Sequence, residues 1–354
     1  MTATKPTLPR TERDEAPLYL ARYRERQARP TEPAREEPDG TPLYLRQFRR
    51  RREEDTLVAP RPPLWERADH GLQMVLSEDN RNKEISGPPG SSLPLANDVY
   101  LIRHAETQGY SAEAGLTPLG SWQARTYGHT LARRVGGDEK VVIVHADTNR
   151  AGQTAARIAD ALSDGVHLFE KGTELVDPEP RPEFRNFGVA TPAGLMDVTS
   201  AFRQYYSVLE TFERQALGDR PAWLVEIDRF WRTQQGGGDP IQHWLTIPMM
   251  HFEPPSLCVR RFWKGIRAIA AAHPGARIAI ATHSGPIRAF ATCAFGYDPG
   301  EPYNTEHVRV KLIEGGREAL ITFRNRVQEV LVPDFDQLPD WQPDTEALLS
   351  PAHV

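Results

Sequence analysis

The sequence predicts an α/β fold: a three-layer, doubly wound, mostly parallel sheet with helices on both faces and an inserted, mainly helical cap. Three observations point there. The apolar run Val99-Tyr100-Leu101-Ile102 closes on Arg103-His104, and a second run, Ile278-Ala279-Ile280-Ala281-Thr282, closes on His283-Ser284-Gly285-Pro286. Short continuous apolar runs are the mark of buried parallel strands, and open α/β sheets collect ligands at the carboxyl ends of such strands. Between and after these runs, strand-like and helix-like segments alternate, which implies right-handed crossovers onto one sheet.

The elements follow in order from about Leu95. After the first strand, Gly115-Leu116-Thr117-Pro118-Leu119-Gly120 reads as a helix start, with Thr117 as N-cap and Pro118 in the first turn. Leu119, Trp122, Tyr127, Leu131 and Val135 recur at helical spacing and are expected to pack on the sheet. Gly136-Gly137 ends that helix, and Lys140-Val141-Val142-Ile143-Val144-His145 is the next buried strand. Asp147 or Thr148 can cap the following helix, expected through Leu162, which puts Arg150 in its first turn beside the carboxyl edge. Residues 189–256 break the alternation: they are rich in aromatics (Phe202, Tyr205, Trp223, Phe230, Trp244) and read as the cap, with those rings as its own core. A helix over about Leu257–Ala272, the second histidine strand, a helix opened by Pro286 and a hairpin (307–313 and 318–323) around Gly315-Gly316 complete the domain, 96–332.

Composition bounds the function classes. Of 354 residues, 39% are hydrophobic and 26% charged, and no apolar run approaches the roughly 18 residues of a membrane span. MTATKPTLPR lacks the apolar segment of a secretory signal, so a cytoplasmic location is expected. The net charge of −5 argues against bulk nucleic-acid affinity. Cys258 and Cys293 give neither a disulfide framework nor a zinc-type spacing, and no cofactor is called for.

Outside the domain, residues 1–95 hold 13 of the 31 prolines among many Arg and Glu, a composition that predicts a disordered tail; residues 333–354 read as a loose acidic end. The tail contains a duplication. Pro17-Leu18-Tyr19-Leu20-Ala21-Arg22-Tyr23-Arg24-Glu25-Arg26 recurs at Pro42-Leu43-Tyr44-Leu45-Arg46-Gln47-Phe48-Arg49-Arg50-Arg51. Helices this short are marginal alone, so each copy, 17–26 and 42–51, is expected to order on a partner such as a multivalent protein scaffold or shell.

RHAET after the first strand, LTPLGSWQA on the next helix, NRAGQTA on the one after it and ATHSGPIRA late in the chain together resemble the histidine phosphatase, or phosphoglycerate mutase-like, superfamily. The resemblance spans about residues 97–325, and four blocks in order are far more specific than one RHxxT. It implies a phosphate pocket with His104 as nucleophile, His283 as its partner, and Arg103, Arg150 and Ser284 as phosphate-binding groups. Residue chemistry agrees. A phosphomonoester carries about −1.5 to −2 charges near neutral pH and needs converging cations and donors. Arg103 and Arg150 offer planar forks, and a strand-end imidazole is substantially neutral at pH 7. His283 can donate to a phosphoryl oxygen, and the Ser284 amide lies at a helix start.

The chain departs from the family pattern in places. Ala105 stands where glycine is usual, Ala146 where serine is common, and Gln108-Gly109-Tyr110-Ser111 replaces the Trp-Asn pair of mutases. The family's proton-donating glutamate lies four residues before the glycine of a Phe-Gly pair; Phe184 holds that position before Phe187-Gly188, and Glu183 is one residue early. Glu183 is the expected donor, Asp147 and Glu106 are the alternatives, and His145 can line the pocket. The expected activity is metal-independent hydrolysis of a small phosphomonoester through a phosphohistidine; a phosphoryl-transferring mutase and a phosphate-binding interaction protein recruited by the tail repeats are the other readings.

Overall fold

The computed structural model describes residues 95–109, 113–216, 219–333, 341 and 343. They fall in one compact unit, Leu72–Val354, while the other unit, Met1–Gly71, lies wholly outside them, as do both tail repeats and nearly all of the C-terminal stretch. Nine strands and seven helices run in the order β1 (Leu95–Arg103), α1 (Pro118–Arg134), β2 (Lys140–His145), α2 (Asn149–Leu168), β3 (Glu174–Pro180), β4 (Gly188–Thr191), β5 (Gly194–Asp197), α3 (Val198–Arg214), α4 (Ala222–Gln235), α5 (Pro240–Thr246), α6 (Pro255–Ala272), β6 (Arg277–Thr282), α7 (Ser284–Phe295), β7 (His307–Ile313), β8 (Glu318–Phe323) and β9 (Arg326–Leu331) among the described residues.

The central sheet has the order β3-β2-β6-β1-β7-β8-β9. β3, β2, β6 and β1 are parallel, and β7, β8 and β9 continue as an antiparallel meander. The Gly315-Gly316 turn joins β7 to β8 with both glycines at positive φ, 95° and 68°. The pleat divides the core. Tyr100, Ile102, Val141, Ile143, Ala279 and Ala281 face α1 and α2, whereas Val99, Leu101, Val142, Val144, Ile278 and Ile280 face α6 and α7. Helices therefore cover both faces, as the alternation predicted.

Helix α1 meets the expectation at Leu131 and Val135, both buried, and departs from it at its start. Leu119 and Trp122 are 49% and 63% exposed, and the buried stripe is Gly120, Ala124, Gly128, Leu131 and Ala132. Small residues win because α1 lies very close to its neighbours: a Cβ on Gly128 would stand 2.5 Å from the Ile158 carbonyl of α2, and one on Gly120 2.0 Å from the Glu106 carbonyl. Hydrophobic periodicity registers bulk, and this interface selects for its absence. Thr117 caps the helix by accepting from Gly120 N at 2.9 Å and donates to Glu106 at 2.7 Å. Helix α2 runs to Leu168, beyond the expected end at Leu162, with Thr148 at its N-cap position.

The inserted segment is the β4-β5 hairpin followed by α3, α4 and α5. Its buried aromatics, Tyr205, Trp223, Phe230 and Trp244, join the core on the α6 and α7 side. Phe187 stacks on Trp244 at 4.1 Å between ring centroids, sealing the insertion onto the domain. No helix among the described residues is long and apolar enough to cross a membrane.

Because the Gly120 contact is backbone against Cβ, no side-chain rotation relieves it. Gly120→Ala is expected to destabilise the domain by about 2–3 kcal/mol, the scale of overpacking. Urea denaturation measures it, with Gly137→Ala, where a Cβ meets nothing within 4 Å, as the near-neutral comparison.

Candidate active site

Parallel pairing brings three strand ends to one edge. Arg103 of β1 pairs with Thr282 of β6, and His145 of β2 pairs with Ala281. The ladder continues past the strands: His104 N donates to Thr282 O at 2.8 Å, and Ala146 N to Ala281 O at 2.9 Å. The two strand-end histidines, 179 residues apart in sequence, therefore face one another, with ring centroids 5.4 Å apart and planes inclined at 68°.

His104 is half-buried. Its Nδ1 lies 2.9 Å from the Ala105 carbonyl, which can only accept, so Nδ1 carries the proton and Nε2 keeps its lone pair. Burial lowers its pKa from 6.5 to about 3; the Ala105 hydrogen bond opposes that shift, and the charges of Arg150 and Arg103 add to it. The Ala105 amide donates to Thr154 Oγ1 at 3.0 Å, fixing the turn from behind.

His283 is buried at the N-cap position of α7. Its Nδ1 accepts from Arg150 Nε at 3.3 Å, so in the neutral ring the proton lies on Nε2, 3.4 Å from Thr148 Oγ1. Burial, then the charges of Arg150, His104 and Arg103, hold its pKa well below the ordinary histidine value. Arg150, itself buried, also donates through Nη2 to Thr199 Oγ1 at 3.1 Å, so the first turn of α3 reaches the site.

Arg103 holds Glu301 at 3.0 Å through Nη1, which also donates to the Pro302 carbonyl, while its buried Nε has no partner. Ser284 is the first residue of α7, where backbone amides have no intrahelical acceptor. Together His104, His283, Arg103, Arg150 and Ser284 offer an uncharged nucleophilic nitrogen among cations and donors, an arrangement suited to a tetrahedral dianion.

Glu183 lies in a single 3-10 turn, Pro182–Phe184, and its Cβ packs against Gly265 of α6. One carboxyl oxygen is buried without a hydrogen-bond partner. Arg261 holds this turn, donating to the carbonyls of Glu183 at 2.5 Å, Arg185 at 3.1 Å and Asn186 at 3.2 Å. Thr282 Oγ1 takes the remaining carbonyl, that of Phe184, at 2.6 Å. Phe184 itself is fully buried against Phe262. The one-residue offset in sequence thus follows from Phe184 joining the core.

The alternative carboxylates have other surroundings. Glu106 accepts from Thr117 at the start of α1, and Asp147 is exposed at the end of β2. His145 hydrogen-bonds through Nδ1 to Ala146 O at 2.7 Å and covers Gly152 of α2. Thr148, Thr199, Glu301 and Asn304, whose side chain donates to His104 O at 3.0 Å, escaped the sequence reading, because only tertiary contact distinguishes them from ordinary surface polars. Among the described residues no group of three or more His, Cys, Asp or Glu side chains is placed to hold a metal ion.

The depressed pKa of His104 has a stability consequence. Unfolded, the ring takes up a proton below about pH 6.5; folded, it stays neutral down to about pH 3. Its contribution is present above pH 6.5 and is lost as pH falls from there toward 3. His104→Asn is expected to flatten the fall in urea midpoint between pH 7 and pH 4.5, and an unchanged slope would count against burial of this ring.

The profile of the histidine phosphatase superfamily, branch 1, matches residues 99–175 and 232–325. No curated protein matches the chain in sequence. Among solved structures, the phosphoglycerate mutase of Bacillus anthracis strain Sterne is similar at 15% identity over 65% of this chain and 92% of that one, with a TM-score of 0.40. A mycobacterial glucosyl-3-phosphoglycerate phosphatase is similar at 16% identity over 61% and 92%, with a TM-score of 0.38. A putative alpha-ribazole-5'-P phosphatase from Escherichia coli is similar at 17% identity over 65% and 97%, with a TM-score of 0.36. The two segments matched by the profile carry Arg103, His104, Arg150 and His283, and over them the chain matches the histidine phosphatase superfamily.

Proposed function

We propose that this chain is a metal-independent, cytoplasmic phosphatase that hydrolyses a small phosphomonoester through a phosphohistidine at His104. The observation that carries this reading is the free, uncharged Nε2 of His104 facing His283 between two arginines. Nε2 attacks phosphorus as the bond to the leaving oxygen breaks, and that oxygen takes a proton. Water then attacks the phosphohistidine, the P–N bond breaks, and neutral His104 and inorganic phosphate result. Arg103, Arg150, the His283 Nε2–H and the Ser284 amide stabilise the charge that builds on the equatorial oxygens.

Glu183 is the proposed proton donor. Its buried oxygen has unspent hydrogen-bonding capacity, whereas Glu106 is committed to Thr117 and Asp147 is open to water. Thr199 on the insertion reaches Arg150, so the substrate binds beneath α3, which favours a small one.

His104→Ala is expected to lower phosphate release by at least about a thousandfold and to abolish acid-labile labelling by a phosphorylated substrate. Turnover equal to that of the wild type overturns the mechanism. Glu183→Gln should cost far more with alkyl phosphates than with p-nitrophenyl phosphate, whose leaving group needs no proton; equal losses with both remove Glu183 from that role.

A second role rests on the duplicated segments 17–26 and 42–51, which lie outside the described residues. Each offers Leu and Tyr anchors flanked by Arg, and two copies favour a partner with repeated pockets, a protein scaffold or shell. Full-length protein is expected to co-sediment with such an assembly, and Tyr19→Ala with Tyr44→Ala to release it without loss of phosphatase activity. Continued co-sedimentation of the double variant counts against docking.

A further inference from the structure

We propose that Glu301 is a positioning residue: it orients the Arg103 guanidinium toward the phosphate and, through Arg288, links that orientation to the inserted segment. This inference rests on the phosphatase reading of the site. A guanidinium is planar, so fixing one of its terminal nitrogens fixes where the remaining N–H groups point. In Arg103 it is Nη1 that is held, by Glu301 Oε1 at 3.0 Å and the Pro302 carbonyl, while Nε is buried with no partner. A buried donor without an acceptor is costly, and a phosphate oxygen is the acceptor this pocket is built to receive.

The loop that carries Glu301 is held on several sides. Arg324 donates to the carbonyls of Pro299 and Glu301 at 2.8 and 2.9 Å, Gly300 N to Asp298 Oδ1 at 3.0 Å, and Thr305 N to Arg103 O at 3.0 Å. Glu301 therefore presents its carboxylate from a fixed backbone. Its second oxygen lies 3.7 Å from Arg288 Nη1. Arg288 is buried in α7, grips Asp298 with Nε and Nη2 at 2.6 and 2.5 Å, and reaches Asp239 at 2.5 Å. Asp239 is the N-cap of α5, so one series of ion pairs runs from the insertion through Arg288 and Glu301 to Arg103.

A carboxylate beside a phosphate arginine could instead repel the ligand. Its placement argues otherwise. The Glu301 side chain is 45% exposed, against 17% for Arg103 and 3% for Arg288, so it stands on the solvent side, where its charge is screened while its geometric hold on Nη1 remains. Small errors in the placement of a binding group can cost as much as a hundredfold, so loss of orientation should dominate.

The test uses the full chain, with inorganic phosphate and orthovanadate as probes by calorimetry and a phosphomonoester in turnover. Glu301→Ala is expected to raise both dissociation constants and KM by about tenfold with a smaller change in kcat. Glu301→Gln, which keeps an acceptor for Nη1 but removes the charge, should lose less. Asp239→Asn keeps the α5 cap, since Asn caps as well as Asp, and should shift the same constants in the same direction. Combined with Glu301→Ala it should add nothing. Unchanged or tighter phosphate binding by Glu301→Ala overturns the positioning role, and multiplicative losses in the double variant overturn the link through Arg288. If wild-type protein binds neither probe, the phosphatase reading itself fails; if it binds both and Arg103→Ala does not, that reading stands whatever Glu301 does.

Discussion

The register between β1 and β6 is the constraint on which the site depends. Arg103 opposite Thr282, extended by the bond from His104 N to Thr282 O, puts two imidazoles at one height on neighbouring strands. A slip of one residue would turn each side chain to the opposite face. It would send Val99 and Leu101 toward α1 and α2 and remove His104 from His283 together. Core packing and catalytic geometry are thus set by the same backbone ladder, because burial on both faces of the sheet penalises any other register.

Around that ladder the chain gathers two arginines and two neutral imidazoles. Arg150 and Arg103 carry fixed positive charge close to the half-buried His104 and the buried His283, and burial with those charges keeps both rings neutral. The result is a cluster rich in donors, with two arginines beside an imidazole nitrogen that keeps its lone pair. Under the proposed function, a phosphoryl group brings negative charge to this cluster and accepts from the unpartnered Nε of Arg103. Neutrality of the His104 ring follows mainly from its burial, to which the charges of Arg150 and Arg103 add.

The turn that bears Glu183 is built on a different principle. Four successive carbonyls, from Glu183 to Asn186, are claimed by Arg261 and Thr282, and Arg261 is in turn held by both oxygens of the buried Glu253. Glu253 also accepts from Gly188 N, and its carbonyl accepts from Trp244 of α5. The turn that bears Glu183 and the insertion thus share one buried ion pair. Such a pair stabilises little in itself, since desolvation offsets its attraction, but breaking it would leave a buried charge exposed to no partner. It fixes geometry more than it adds stability.

The sequence by itself determined the strand-end histidines, the α/β alternation, the Thr117-Pro118 helix start and the family resemblance, because apolar runs and cap chemistry are local and four motif blocks survive without their context. It mistook Leu119 and Trp122 for core, since periodicity registers bulk and cannot see that at Gly120 and Gly128 α1 lies too close to the turn after β1 and to α2 for a Cβ. Tertiary structure alone decided how closely His104 and His283 approach, that Thr199 and Glu301 reach the two arginines, and that Phe184 is core while Glu183 lies against α6. Those outcomes depend on contacts between residues far apart in the chain, and only the sheet register and the packing of α6 and the insertion bring them within hydrogen-bonding distance.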